Sequence, residues 1–338
     1  MSKSLNVAIV GAGTCGLYLA WKLSQRGYRV TVFEKKREIG KQACSGLFSE
    51  KIFDYVPEAR DLVQNQIAYT LIHFPKKTVK VWFSERFFVI SHFKLDRLIA
   101  DLAKKAGAKI ILNHEIRSLP SGFDKIIGCD GAYSFIRRAL DVPGPDFSLG
   151  ILGFVQKRDF SDFVETWPQK NRDAPFRFWD KSGGGFIWKI PRGKKIEYGI
   201  IGKPLRAKQV LKEFLDVQGI QLTGIRSQMI ACGLAKFSHP NITLCGEAAG
   251  LTKPWSGGGV IWGLKSCEIL LQHFPDFISY QRVLRRFFGF RFILSETITR
   301  MVYFLGFNFP WVMPKEIKIQ GDYILNFDFL SKLRNSKS

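Results

Sequence analysis

The chain has 338 residues, with 51 Lys and Arg against 29 Asp and Glu for a formal charge of +22, and 46% of it is hydrophobic and 14% aromatic. This composition excludes a disordered tail or a disulfide miniprotein, and the length suits two domains of about 100–200 residues each. The charge bears on partners, of which nucleic acid, an anionic membrane surface and a phosphorylated substrate are the usual classes.

Leu5 to Val10 is a short, β-branched apolar run predicted as a strand. Gly11, Gly13 and Gly16 follow, then a helical pattern through Leu17, Leu19, Ala20 and Leu23, stopped by Gly27. Tyr28 to Phe33 reads as a second strand, ending at Glu34 and Lys35, with Glu34 18 residues after Gly16. In such a unit Gly11 permits the turn, Gly13 lets backbone approach a pyrophosphate, and Gly16 lets helix and strand pack closely. The helix start, with Cys15 in its first turn, faces the phosphates, and Glu34 accepts hydrogen bonds from ribose hydroxyls. The uncharged stretch from Ser4 to Trp21 is neither a signal peptide nor a span, because the glycine turn and a second strand interrupt that reading.

Alternating strands such as Val79–Phe83 come next, then a helix through Leu98, Leu102 and Ala106 and a strand from Lys109 to Leu112. Phe123 to Arg138 reads as a buried strand ending in Asp130-Gly131 and running into a basic helix. Glu197 to Ile201 is another alternating strand. Asn241 to Gly250 is a buried strand ending in Glu247 beside Gly246, and Pro254 to Val260 supplies a second glycine turn feeding a helix through Gly263 and Cys267. From residue 276 the chain is basic and aromatic, with Arg282, Arg285 and Arg286 on one helical face and Arg291 nearly opposite. The uncharged stretch Met301–Pro314 is too short to span, and it reads either as an insertion into the interface of an anionic bilayer or as a cap over a substrate tunnel.

Six cysteines, Cys15, Cys44, Cys129, Cys232, Cys245 and Cys267, form no C-x-x-C pair, which fits a reducing, cytoplasmic setting. The five histidines show no ligand spacing, so no metal is expected. With no helix-turn-helix, finger or aromatic-basic RNA motif, no nucleic-acid partner is expected either.

Taken together, the G-x-G-x-x-G turn, the Asp130-Gly131 pair and the late acid block resemble the glutathione-reductase-type FAD fold of the p-hydroxybenzoate-hydroxylase-like flavoproteins. That resemblance implies FAD as cofactor, Asp130 among its binding residues, Glu247 on the ribityl chain in place of the group's usual Asp, and Gly258, Gly259 and Val260 at a helix start aimed at the flavin pyrimidine edge. Within this group three segments resemble the geranylgeranyl reductase family, which includes archaeal enzymes that saturate isoprenoid chains of membrane lipids. They are Ile39–Leu47, holding Cys44 and Gly46; Gly184–Pro191, with Phe186 and Ile190 at the Tyr and Phe positions of a Y-x-W-x-F-P block; and Leu251–Gly259, holding Pro254 and Trp255.

The fold so implied is α/β, a Rossmann FAD domain discontinuous over 1–50, 90–140 and 230–275. An inserted antiparallel sheet over 51–89 and 141–229 roofs the flavin, and a basic-aromatic helical segment fills 276–338. His92 stands where the family has an Arg on the flavin phosphates, and reads as a cofactor contact or as a surface histidine at a helix start. Phe186, Trp188, Pro254 and Trp255 are implied to border the substrate, with plain core packing the other reading for Trp188. Cys44 is implied to face the isoalloxazine and orient an alkene or relay a proton, or else to be merely packed.

Flavin halogenases carry a similar W-x-W-x-I-P block, but their glycine-glutamate block with its reactive lysine is missing near residue 41, and the chain is short for them. The expected activity is thus FAD-dependent saturation of C=C bonds in a prenyl chain on a phospholipid or diphosphate. It would take place at the inner membrane face, with a nicotinamide cofactor or ferredoxin-like carrier as electron donor. A flavin monooxygenase on the same scaffold is the alternative.

Overall fold

The computed structural model describes residues 4–41, 43–170 and 185–322; Gln42 and Gly184 of the motifs above, and residues 171–184 and 323–338 of the expected segments, lie outside the described residues. Five strands, β1 (Asn6–Val10), β2 (Arg29–Phe33), β6 (Lys109–Ile111), β7 (Lys125–Gly128) and β13 (Ile242–Leu244), form a wholly parallel sheet in the order β13-β7-β1-β2-β6. The chain leaves β1 for β2 on one side and meets β7 on the other, so the order reverses beside β1, where open α/β sheets bind ligands at the carboxyl ends of the strands. Helix α1 (Thr14–Gln25) makes the first crossover and packs on α3 (His92–Lys105), whose buried stripe of Leu95, Ile99 and Ala103 follows the 3.6-residue period.

The second sheet has nine strands. β3 (Leu47–Ser49), β4 (Val63–Phe74), β5 (Lys77–Ile90), β8 (Asp146–Val155) and β9 (Phe163–Pro168) are joined by β10 (Phe186–Pro191), β11 (Ile196–Gly202), β12 (Thr223–Cys232) and β14 (Glu316–Ile319). It is mixed rather than antiparallel as expected: β4 pairs parallel with β9, and β14 parallel with β5. Short helices α2 (Ile52–Tyr55), α4 (Phe135–Ala139) and α5 (Ala207–Val217) decorate the two sheets.

α6 (Val260–His273) and the long α7 (Phe277–Asn308) complete the fold. The buried face of α7 repeats at helical spacing through Phe277, Tyr280, Leu284, Phe288 and Ser295, and Trp262 of α6 meets Phe288 at 5.2 Å between ring centroids. The C-terminal segment is therefore not only helical, since it returns as β14 to the edge of the mixed sheet. Among the described residues no helix is long and apolar enough to cross a membrane.

The turn between β1 and α1 depends on side-chain absence at two points. Gly11 has φ +104°, and a Cβ there would sit 2.4 Å from the Cys129 carbonyl oxygen. A Cβ at Gly16 would lie 2.0 Å from the Gly11 carbonyl oxygen, whereas at Gly13 it would meet nothing within 4 Å. Gly16→Ala is expected to destabilise the fold by about 2 kcal/mol or more, and Gly13→Ala by no more than about 1 kcal/mol. Urea unfolding of both variants beside the wild type measures the contrast.

Candidate dinucleotide and substrate site

A cavity of about 1810 Å³ opens at the carboxyl ends of the parallel strands and runs beneath the mixed sheet to the far end of α7. That exceeds the several hundred Å³ usual for one small ligand, so there is room for a large cofactor and a second molecule. At one end lie Gly11, Gly13, Cys15, Glu34 and Lys35. α1 begins at Gly13 with no side-chain cap and no acidic residue in its first turn, leaving N–H groups turned toward the cavity as an anion site requires. The open space beside Gly13 is what a pyrophosphate would need, and Gly16, buried behind the turn, serves packing alone. Glu34 accepts hydrogen bonds from the Ala12 N–H at 2.8 Å and the Lys36 N–H at 2.9 Å, so the carboxylate is fixed while keeping lone pairs for a sugar hydroxyl.

The loop between β2 and β3 brings Lys41 and Cys44 to the cavity wall. Gly46 does not line it but makes the bend possible, with φ +64° and a Cβ position 2.0 Å from the Ile90 carbonyl oxygen. The loop is held from two sides. The Lys41 N–H donates to Asp96 of α3 at 2.9 Å, and Arg192, just past β10, donates to the Ser45 carbonyl. Arg192 also pairs with Glu197 at 2.8 Å and donates to Gln64 at 3.0 Å. Burial pushes the Glu197 carboxyl up to about 7 despite Arg192 and the Trp188 indole N–H, which donates to it at 2.9 Å.

His92 is no surface histidine. It opens α3 with 6% of its area exposed, lines the cavity, and sits 2.8 Å from the Thr14 hydroxyl and 3.4 Å from the Asp96 carboxylate. Burial alone would lower the ring, but Asp96 and then Cys44 outweigh it and carry His92 up to about 10. Burial likewise raises Cys44, yet the neighbouring His92 and Lys41 more than offset it and leave the thiol below its ordinary value.

Glu247 reaches the cavity, where Lys41 pairs with it at 3.4 Å and the Ala231 N–H donates to it at 3.4 Å. Gly246 lies behind it, out of the wall. Gly258, Gly259 and Val260 bring the uncapped start of α6 to the cavity. Asp130 lines it too, but its carboxylate accepts from Ser134 at 2.6 Å and from the N–H groups of Phe135 and Ile136, securing the start of α4.

Phe186, Trp188 and Trp255 wall the deeper chamber. Trp188 answers to both sequence readings, being buried against Ile67, Phe87 and Ile190 while one surface meets the cavity. Pro254 is a correction: it stays out of the cavity wall, which its neighbours Lys253 and Trp255 do line. The end of α7 closes the chamber with Ile298, Val302 and Tyr303, and Gly306 leaves room for Phe74 to tuck beneath the helix.

Three features escaped the sequence reading. Asp96 and Thr14 complete a buried group with His92, signalled only by the four-residue spacing of His92 and Asp96 on one helix face. Arg192 and Glu197 had no motif to mark them. Four of the cysteines converge, with Cys245 Sγ 3.5 Å from Cys267 Sγ, Cys267 Sγ 3.6 Å from the Cys15 carbonyl, and Cys129 close to both Cys15 and Cys245. Among the described residues no group of three or more His, Cys, Asp or Glu side chains is arranged to hold a metal ion.

Residues 9–66 match the family described as NAD(P)-binding Rossmann-like domain, whose strand–turn–helix also serves flavin dinucleotides. Over 77% of this chain and 72% of its own, digeranylgeranylglycerophospholipid reductase 1 of Methanosphaera stadtmanae is 27% identical. The digeranylgeranylglycerophospholipid reductase of Methanocella arvoryzae is 24% identical over 80% of this chain and 77% of its own. A geranylgeranyl bacteriochlorophyll reductase-like protein of Thermoplasma acidophilum superposes with a TM-score of 0.73 at 18% identity, covering 90% of this chain and 88% of its own. A flavin-dependent brominase does so with a TM-score of 0.72 at 13% identity, covering 92% of each chain. The two superpositions establish the fold, a Rossmann-like parallel sheet beneath a mixed sheet.

Proposed function

We propose that this chain, similar to digeranylgeranylglycerophospholipid reductases over more than three-quarters of its length, is an FAD-dependent reductase that saturates C=C bonds of a prenyl (geranylgeranyl) chain on a phospholipid or diphosphate. The observation that carries this reading is one continuous cavity, which joins the open turn at Gly13 to an apolar chamber at Trp188 with Cys44 in its wall. FAD is held by the α1 start, Glu34, Lys35, His92, Asp130, Glu247 and the α6 start, and the parts 1–50, 90–140 and 230–275 make its domain, with 51–89 and 141–229 roofing it. An isolated alkene takes up a hydride at one carbon and a proton at the other, and bound, reduced FAD supplies the hydride.

The chain's own residues do the rest. Phe186, Trp188 and Trp255 shape an apolar, water-poor chamber for the prenyl chain. Arg192 holds the Cys44 loop through the Ser45 carbonyl. Cys44 carries the proton at Sγ. A nicotinamide cofactor or a ferredoxin-like carrier provides the electrons.

Peripheral binding at the inner membrane face rests on the outer side of α7 and on the turn after it. Arg282, Arg285 and Arg286 are exposed there, as are Phe290, Ile293, Met301 and Trp311.

Purified protein should be yellow, and Gly13→Val should lose the flavin absorbance while keeping its thermal unfolding, because the branched side chain fills the phosphate space. Colourless wild-type protein after reconstitution with FAD would end the reading. In anaerobic assays with geranylgeranyl lipids read by mass spectrometry, Cys44→Ala should gain hydrogen about a hundredfold more slowly than wild type, the usual loss with a general acid. Substrate-dependent oxygen uptake with a hydroxylated product would assign a monooxygenase instead.

Sedimentation with anionic liposomes should be strong at low salt and weaken as the screening length falls to about 8 Å. The triple change of Arg282, Arg285 and Arg286 to Ala should reduce it, and unchanged binding would move the membrane contact elsewhere.

A further inference from the structure

A hydrogen-bonded chain runs from the chamber wall to the Cys44 thiol, behind the surface that a substrate would touch. It starts at Trp188, whose indole N–H donates to Glu197 Oε1 at 2.9 Å. Glu197 Oε2 accepts from Arg192 Nη1 at 2.8 Å, and the same nitrogen donates to the Ser45 carbonyl. Across that peptide bond the Gly46 N–H donates to Cys44 Sγ at 3.4 Å. The peptide unit is planar, so an arginine that grips its carbonyl also aims its N–H.

The links have little freedom. Glu197 is fully buried, and both of its oxygens are taken. Arg192 is 7% exposed, and its other two nitrogens donate to Gln64 at 3.0 Å and to the Ile90 carbonyl at 3.3 Å. The Gly46 carbonyl is pinned too, accepting from the Ile90 N–H at 2.8 Å. At the wall the Trp188 ring lies across Gly199, where a Cβ would stand 2.3 Å from it. Neither Arg192 nor Glu197 lines the cavity, whereas Trp188, Cys44 and Ser45 do. A buried ion pair adds little net stability, and this one bridges two groups that face the cavity.

We propose that Glu197 and Arg192 are positioning residues, which set the Cys44 sulfur in register with the Trp188 wall through the Ser45–Gly46 peptide. This inference rests on the reductase reading for what Cys44 does, but not for the hydrogen-bonded chain itself. A proton donor must meet one carbon of an alkene that the chamber wall holds, so wall and donor have to keep a fixed relation through each turnover. Charge-assisted bonds from a planar guanidinium give that relation a rigidity that loop backbone alone lacks. Loss of any link frees the peptide to turn and takes the N–H from the sulfur.

Amide hydrogen exchange at Gly46, read by nitrogen-15 NMR in the protein as purified, reports on that peptide directly. Trp188→Phe keeps a ring in the wall and removes the N–H at the far end of the chain, so Gly46 exchange should rise about threefold or more. Arg192→Lys keeps the charge but not the fork and should raise it about tenfold or more. Because both substitutions cut one chain, the double variant should exchange no faster than Arg192→Lys alone, whereas independent packing defects would multiply. In anaerobic lipid saturation Arg192→Lys should lower kcat about tenfold and leave KM within about threefold, since the wall is intact and the donor is misplaced.

Should Arg192→Lys fail to fold, Trp188→Phe, which removes no charge, decides alone. Wild-type exchange at Gly46 in that variant would overturn the proposal. So would single-variant effects that multiply in the double variant, or an Arg192→Lys enzyme that keeps the wild-type kcat. If Gly46 responds as expected but the wild-type protein reduces no prenyl lipid, the substrate reading falls and the coupling of Trp188 to the Cys44 loop stands.

Discussion

A cavity with apolar walls tolerates a charge only when the charge is paired, and the ionic groups here meet that condition at the seam between the two sheets. His92 pairs with Asp96, Arg192 with Glu197, Lys253 with Asp322, and Lys41, half-buried, with Glu247. Two of these pairs, Lys253–Asp322 and Lys41–Glu247, join segments far apart in the chain, and each of the four puts one partner in or against the loop that carries Cys44 or the turn before α6. Ion pairs of this kind add little net stability, while breaking one by removing a partner costs about 3–5 kcal/mol. Two of them also reach the loop around the Cys44 thiol directly, Asp96 through the Lys41 N–H and Arg192 through the Ser45 carbonyl.

How much of this was legible in the sequence depends on the range over which each signal acts. The β1–α1–β2 unit was readable because Gly11, Gly13, Gly16 and Glu34 act within one turn and its neighbouring strands, and the structure gives each glycine the separate environment its position implies. The late acid block and the glycines before α6 were readable for the same reason. The convergence of Cys15, Cys129 and Cys245 was not. These residues lie just beyond β1, β7 and β13, which are adjacent in the sheet but scattered in sequence.

The mixed pairing of the second sheet was equally hidden. Alternation in Val79–Phe83 or Glu197–Ile201 fixes which face of a strand is buried, not the direction of its neighbour. His92 was placed at a helix start correctly but read without Asp96, since exposed and buried helix starts share one sequence signature. Pro254 was drawn into the substrate wall by the company of Trp255, although a proline in a turn is as often there for its fixed φ.

The two ends of α7 have different moorings. Near its start the Tyr280 hydroxyl donates to the Leu244 carbonyl at 3.0 Å and Gln281 donates to Thr243 at 3.3 Å, both on β13 of the parallel sheet. Beyond its end the chain runs into β14, zipped to β5, and then to Asp322, clasped by Lys253 at 2.8 Å and by the Ser49 hydroxyl. A rod fastened at both ends bows but does not swing. Any opening of the chamber that swings the end of α7 outward must therefore unzip a four-residue edge strand or draw a buried carboxylate off its lysine, at a clasp some way from the Cys44 loop.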